Sequence, residues 1–201
     1  MKNITFNLST SHKFGSTFYD YLGLRKRFFV DTLGWDIPHD ETVEMDQYDN
    51  PLAHYSVVVR DGVVVGGART MATTSIWGEH TYMLRDAAAG KLSDIPDQVL
   101  TSVIKSAKVW ECTRLVVSDA VNGHQDRATC LSLIVDGLMG VAARQGGQEL
   151  ISLSPVTLMR ALRQLGYAAS RIGEPHVNCG DGRKYAVLSM PTHLEPALQA
   201  A

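Results

Sequence analysis

Val109-Trp110-Glu111-Cys112-Thr113-Arg114-Leu115-Val116-Val117 is an apolar, β-branched run interrupted by one carboxylate and one guanidinium. Its composition is that of a buried strand. Burying either charge alone is costly, so such a strand needs partners for Glu111 and Arg114, a wet cavity, or chemistry that uses them. On a strict period of two, Glu111 points with Val109, Thr113 and Leu115, and Arg114 with Cys112 and Val116. The two share a face only across a bulge. Bulges gather beside active sites because they re-aim side chains, so this strand reads as the wall of a catalytic cleft with Glu111 and Arg114 as its catalytic candidates. A charge pair at a strand end is the plainer alternative.

Downstream, Gln125 to Gln145 carries Leu131, Ile134, Val135, Leu138, Met139 and Ala142 at helical spacing and stops at Gly146-Gly147, which predicts a long packing helix. Glu149 to Leu153 reads as a strand. Ser154-Pro155 then offers a capping hydroxyl and a first-turn proline to a helix that stops at Gly166. Two further strands flank Gly180-Asp181-Gly182, the second running from Tyr185 to Met190.

Upstream, Asn3 to Leu8 alternates like a short strand, and an amphipathic helix is expected over residues 13 to 30. Phe18, Leu22, Arg25 and Phe29 share its apolar stripe, so Arg25 is either a snorkelling edge residue or a buried anchor for a carboxylate. Gly34 suits a left-handed cap. The aperiodic stretch up to Pro51 holds Trp35, Asp36, Asp40, Glu41, Glu44, Asp46, Tyr48 and Asp49, a mixture suited to a cationic ligand or to a solvated loop. His54 to Arg60 and Val63 to Met71 flank Asp61-Gly62, a hairpin signal. Gly66 and Gly67 leave room for a ligand or a backbone beside Arg69. Short helices are expected over residues 82 to 92 and from Gln98 to Ser106. The order predicts an α/β fold, a three-layer α-β-α sandwich around a mixed sheet.

At 201 residues and 45% hydrophobic content the chain can bury a core as a single domain, residues 1 to 201. No basic cap with an apolar segment opens it, and no run reaches the ~20 apolar residues of a membrane span, so a cytoplasmic protein with no membrane partner is expected. Cys112, Cys130 and Cys179 fit reduced thiols better than a disulfide framework. His176 and Cys179 lack a second ligand pair, so no metal is expected. A net charge of -2 disfavours a broadly basic nucleic-acid binder.

The polar residues resemble those of the LuxI-type acyl-homoserine-lactone synthases, which have a fold like that of the GCN5-related N-acetyltransferases. The motifs are Arg25, Phe29 and Trp35 as R-x3-F-x5-W, and Glu44, Asp46 and Asp49 as E-M-D-x-x-D. Arg69 follows in G-G-A-R-x-x-x-T-T, and Glu111 and Arg114 in W-E-x-x-R. The resemblance covers most of the chain. It implies an acyltransferase that joins the amine of S-adenosylmethionine, a substrate rather than a cofactor, to an acyl group from acyl carrier protein or acyl-coenzyme A. Lactone closure then releases methylthioadenosine, and the product is a quorum-sensing signal.

On that resemblance Arg25, Phe29, Trp35, Glu44, Asp46, Asp49 and Arg69 bind S-adenosylmethionine: the acidic loop meets its cations, the aromatics stack, and Arg25 or Arg69 holds its carboxylate. Glu111 is the general base. The acyl tail enters between the central strand and Glu149 to Leu153, lined by Val116, Leu138, Leu153 and Ser154. Acyl carrier protein docks on Arg160 and Arg163, with Arg171 and Lys184 nearby. Residues 69 to 74 and the longer stretch from Ile76 to Tyr82 depart from the family pattern and bear on the cleft rim. A coenzyme A-dependent N-acyltransferase acting on another amine, and a non-catalytic binder of acyl carrier protein or acyl thioesters, are the competing classes. The missing pyrophosphate loop after the central strand weighs against the first and Glu111 against the second.

Overall fold

The computed structural model describes residues 1–100, 102–178 and 180–193. The chain runs β1 (Lys2–Asn7), a 3-10 turn (Ser11–Phe14) and α1 (Thr17–Arg25), which widens into a π-helix over Lys26–Thr32. Next come β2 (His54–Arg60), β3 (Val63–Ala72), α2 (Met83–Ala88), a 3-10 turn (Asp97–Val99) and β4 (Val109–Val117). The remainder is α3 (His124–Arg144), β5 (Glu149–Pro155), α4 (Val156–Gln164), β6 (Ser170–Arg171), β7 (His176–Val177) and β8 (Lys184–Pro191). One mixed sheet takes the order β1-β2-β3-β4-β5-β8-β6, with β7 also on β8. Among the described strands β4 against β5 is the parallel pair.

Alternation along these strands sends two sets of side chains to opposite faces. Tyr55, Val57, Met71, Val116, Ile151 and Val187 pack with Tyr21 and Leu24 of α1 and Leu84 of α2. Val58, Trp110, Leu150 and Met190 pack with Ile134, Val135 and Leu138 of α3 and Leu162 of α4. Each such aliphatic side chain, fully buried, contributes about 1.5–3 kcal/mol. The three-layer arrangement follows. Asp61 and Gly62 take φ of 52° and 81°, the positive values a tight hairpin turn needs.

Several expectations fail for local reasons. Gly66 and Gly67 admit helices rather than a ligand: a Cβ at Gly66 would lie 2.8 Å from Cys130 Sγ, and one at Gly67 2.8 Å from the Tyr21 ring. The helix expected from Gln98 to Ser106 is reduced to the Asp97–Val99 turn, because Val99, Leu100 and Ile104 all turn into the first core and Ser106 is tied to Thr73. Ser154 is no helix cap. β5 continues through it, pairing Ser154 with Ala186, and Pro155 occupies the cap position of α4.

Candidate active site

β4 and β5 are paired over three residues, the last pair being Glu111 with Ile151. Beyond it β4 stays with β3 and β5 stays with β8, so the sheet forks with Glu111 at the branch point. Glu111 is 1% exposed. Its Oε2 accepts a hydrogen bond from the Met83 amide and its Oε1 one from the Leu84 amide, both at 2.8 Å, so the carboxylate holds the first turn of α2. Burial raises its pKa to about 7 against the pull of those two amides and of Arg69, with Asp86 adding to the rise.

The bulge required to bring Arg114 to the face of Glu111 is present. Pairing steps from Arg69 with Thr113 to Gly67 with Val116, leaving Arg114 and Leu115 opposite Ala68. Arg114 takes φ 57°, a left-handed conformation that only a few non-glycine residues adopt. This reverses the simple alternation: Val116 joins the first core, with Glu111, and Leu115 the second.

Arg114 thereby enters a buried cluster of three guanidiniums and three carboxylates. Arg25 donates through Nε to Glu44 at 2.5 Å and through both Nη atoms to Asp49 at 2.8 and 2.9 Å. Arg69 donates to both oxygens of Asp46 at 2.5 and 3.1 Å and to Thr113 Oγ1 at 3.0 Å, and its Nη1 lies 2.9 Å from Asp49. Arg114 reaches Asp46 at 2.9 Å and Glu44 at 3.2 Å. Tyr55 adds a hydroxyl to Asp49. Burial raises the pKa of Asp49, but Arg69 and Arg25 outweigh it and hold the group well below the usual range; Asp46 is likewise depressed, by Arg69 and Arg114 against burial.

The residues expected to bind S-adenosylmethionine through their charges, Arg25, Arg69, Glu44, Asp46 and Asp49, are brought together in this one cluster. All five are buried and bound to one another, with Arg25 bidentate on Asp49 and Arg69 on Asp46. Arg114 is the guanidinium of the three with side-chain exposure, 10% against 0% for Arg25 and Arg69. Phe29 lies between Arg114, 5.5 Å from its ring centre, and Trp35, at 5.0 Å and 31°. Trp35 is half-buried and donates to Asp181, which also accepts from Tyr185, so the turn before β8 closes over the aromatic pair.

The four acyl-pocket residues do not share a face. Val116 and Leu153 belong to the α1 side, whereas Leu138 belongs to the α3 side and Ser154 bonds to Ser152. They flank the fork from opposite layers. Arg160, Arg163, Arg171 and Lys184 are exposed; Arg163 donates to the Ala169 carbonyl and Arg171 lies 4.0 Å from Glu174. A cavity of about 460 Å³ lies on the outer side of Asp46 and Asp49, facing Trp77, Glu79 and His80 of the long stretch after β3. Sequence reasoning missed Tyr21, Tyr55 and Thr113. Tyr21 stands one turn before Arg25, a position the helical stripe marks. Among the described residues no group of three or more metal-ligand side chains forms, and Cys179 lies outside them. No described helix is long and apolar enough to cross a membrane.

The site is thus a mixed sheet that forks beside a buried carboxylate, with a charged cluster at its edge. The family of autoinducer synthases matches residues 9–197. The acyl-homoserine-lactone synthase of Ralstonia solanacearum is 33% identical over 167 residues, 79% of this chain and 74% of that one. That of Acinetobacter nosocomialis is 31% identical over 159 residues, 75% and 80% of the two chains. TofI, crystallised in a ternary complex with an inhibitor and MTA, aligns with a TM-score of 0.71 and 27% identity over 96% of this chain and 92% of its own. The chain belongs to the autoinducer synthase family. It is an acyl-homoserine-lactone synthase, an acyltransferase with an N-acetyltransferase-like fold that makes a quorum-sensing signal.

Proposed function

We propose that the acylation takes place at the fork, with the amine of S-adenosylmethionine attacking an acyl thioester beside Glu111. The supporting observation is Glu111 itself, a buried carboxylate of raised pKa at the point where β4 and β5 part. Glu111, directly or through a water, takes one proton from the α-ammonium, the freed amine bonds to the thioester carbon, and the leaving thiolate takes up the second nitrogen proton. The methionine carboxylate then displaces methylthioadenosine from its own γ-carbon, closing the lactone. Phe29 and Trp35 offer a wall for adenine or sulfonium, and Arg114 is the guanidinium able to meet the substrate carboxylate.

The acyl tail runs into the fork between Val116 and Leu153, with Leu138 and Ser154 behind it. Acyl carrier protein, an acidic partner, docks on Arg160 and Arg163, and the reaction needs no cofactor beyond its substrates. The site of action is the cytoplasm, where those substrates are made. The test supplies purified protein with S-adenosylmethionine and either acylated carrier protein or the matching acyl-coenzyme A. Methylthioadenosine release and a lactone-ring fragment in the mass spectrum are expected; turnover with neither donor overturns the reading.

A further inference from the structure

We propose that Tyr21 is a positioning residue for acyl transfer, its hydroxyl fixing the left-handed bulge that aims Arg114 into the cleft. The phenol is fully buried and donates a 2.8 Å hydrogen bond to the Arg114 carbonyl. That carbonyl belongs to the stretch of β4 where the register with β3 breaks, so it needs a partner from outside the ladder. Tyr21 reaches it by packing its ring against Gly67, where a Cβ would lie 2.8 Å from two ring carbons. Arg25 stacks over the same ring at 5.4 Å, locking its orientation from the cluster side.

The three contacts serve one residue. Arg114 at φ 57° is strained backbone that persists only when its surroundings hold it, and its guanidinium is the exposed member of the cluster, over Phe29. Without the hydroxyl the carbonyl is left buried and unpaired, and the bulge is free to relax toward regular pairing, which swings Arg114 toward the opposite face. The substrate carboxylate would then lose its guanidinium, and the reacting groups would meet in the wrong geometry. Misplacement of about 1 Å costs up to about a hundredfold in rate.

This inference rests on the fork being the reaction site, which Glu111→Gln tests separately. The experiment here is Tyr21→Phe, which keeps the ring against Gly67 and deletes the hydroxyl alone. The control is Tyr167→Phe, which deletes a phenol hydroxyl bonded to Ser132 and Asp136 on the far side of the sheet. Steady-state kinetics and S-adenosylmethionine calorimetry are run on both, well below their melting temperatures. The expected result is a fall in kcat/KM of about tenfold or more in Tyr21→Phe together with a raised S-adenosylmethionine Kd, because Arg114 no longer meets the substrate carboxylate, and both unchanged in the control. A kcat/KM or a Kd within twofold of wild type, or an equal change in the control, overturns the assignment.

Discussion

Replacing Glu111 by Gln separates its two duties, because the amide preserves the shape while removing basicity and one acceptor. An α-ammonium has a pKa of about 7.7–8, and against an ordinary glutamate near 4.3 the transfer of its proton is uphill by about 5 kcal/mol. With the Glu111 pKa raised to about 7 the same transfer costs only about 1 kcal/mol, so deprotonation before attack becomes affordable. The acid limb of kcat/KM should therefore fall near pH 7 in the wild type and flatten in Glu111→Gln, with acylation reduced about 10²- to 10⁴-fold. Stability carries an independent signature. Because the folded value lies above the ordinary 4.5, the buried acid favours folding fully below pH 4.5, and that contribution is lost as pH rises through 7, about 3 kcal/mol in all. The variant lacks this dependence. It is destabilised by about 1–3 kcal/mol for the α2 amide that then faces an NH2 group. Urea unfolding from pH 5 to 8 should show the wild type ahead at pH 5 and its lead shrinking by about 2.5 kcal/mol at pH 8. A constant gap, or turnover within threefold of wild type, would refute the reasoning.

Asp49→Asn leaves Arg25 and Arg69 sharing two carboxylates with Arg114, and a broken buried pair costs about 3–5 kcal/mol, read as a lower urea midpoint with a normal slope. In the wild type the depressed pKa values of Asp46 and Asp49 give stability that is present above about 3.8 and lost as pH falls below it; Asp49→Asn should unfold over a shallower acid transition. Leu153→Phe should shift the product profile toward shorter acyl chains, and an unchanged mass spectrum removes Leu153 from the tail path. Reversing the charge of Arg160 and Arg163 together should raise KM for acylated carrier protein and blunt its salt dependence while leaving turnover of a small thioester alone; the opposite pattern rules out docking on α4.

The hairpin at Asp61-Gly62 and the helix α3 were legible because their signals are local: a turn that demands positive φ, and apolar residues at a helical period. The face of Arg114 was legible only as a condition, a bulge being needed to bring it beside Glu111. No composition encodes a left-handed arginine, which exists because Tyr21 holds its carbonyl and Gly67 clears the space. The failed helix beyond Gln98 had polar residues at plausible positions, but Val99 and Ile104 are drawn into the core as extended chain. Glu111 was visible as an odd charge in an apolar strand. Its role in holding α2 was hidden, since its partners Met83 and Leu84 lie 28 and 27 residues away and contribute backbone, not side chains.

The charged cluster shows what residue type alone could not reveal about these groups, namely that they meet one another. Opposite charges at Arg25, Glu44, Asp46, Asp49 and Arg69 suit a zwitterionic substrate equally well as they suit each other, and the choice is made by burial. A substrate in water offers its charges already hydrated, whereas the protein's own charges, once folded into the core, must be met on the spot. Pairing three guanidiniums with three carboxylates makes the cluster neutral, and its bonds weld α1, the loop of residues 44–49, β3 and β4 into one body. That rigidity has a use only if something nearby needs fixing. The member at its edge is Arg114, over Phe29 and three residues from Glu111 along the strand that forks. The cluster is accordingly a frame for Arg114 and the forked strand, built from the residues that the sequence motif unites.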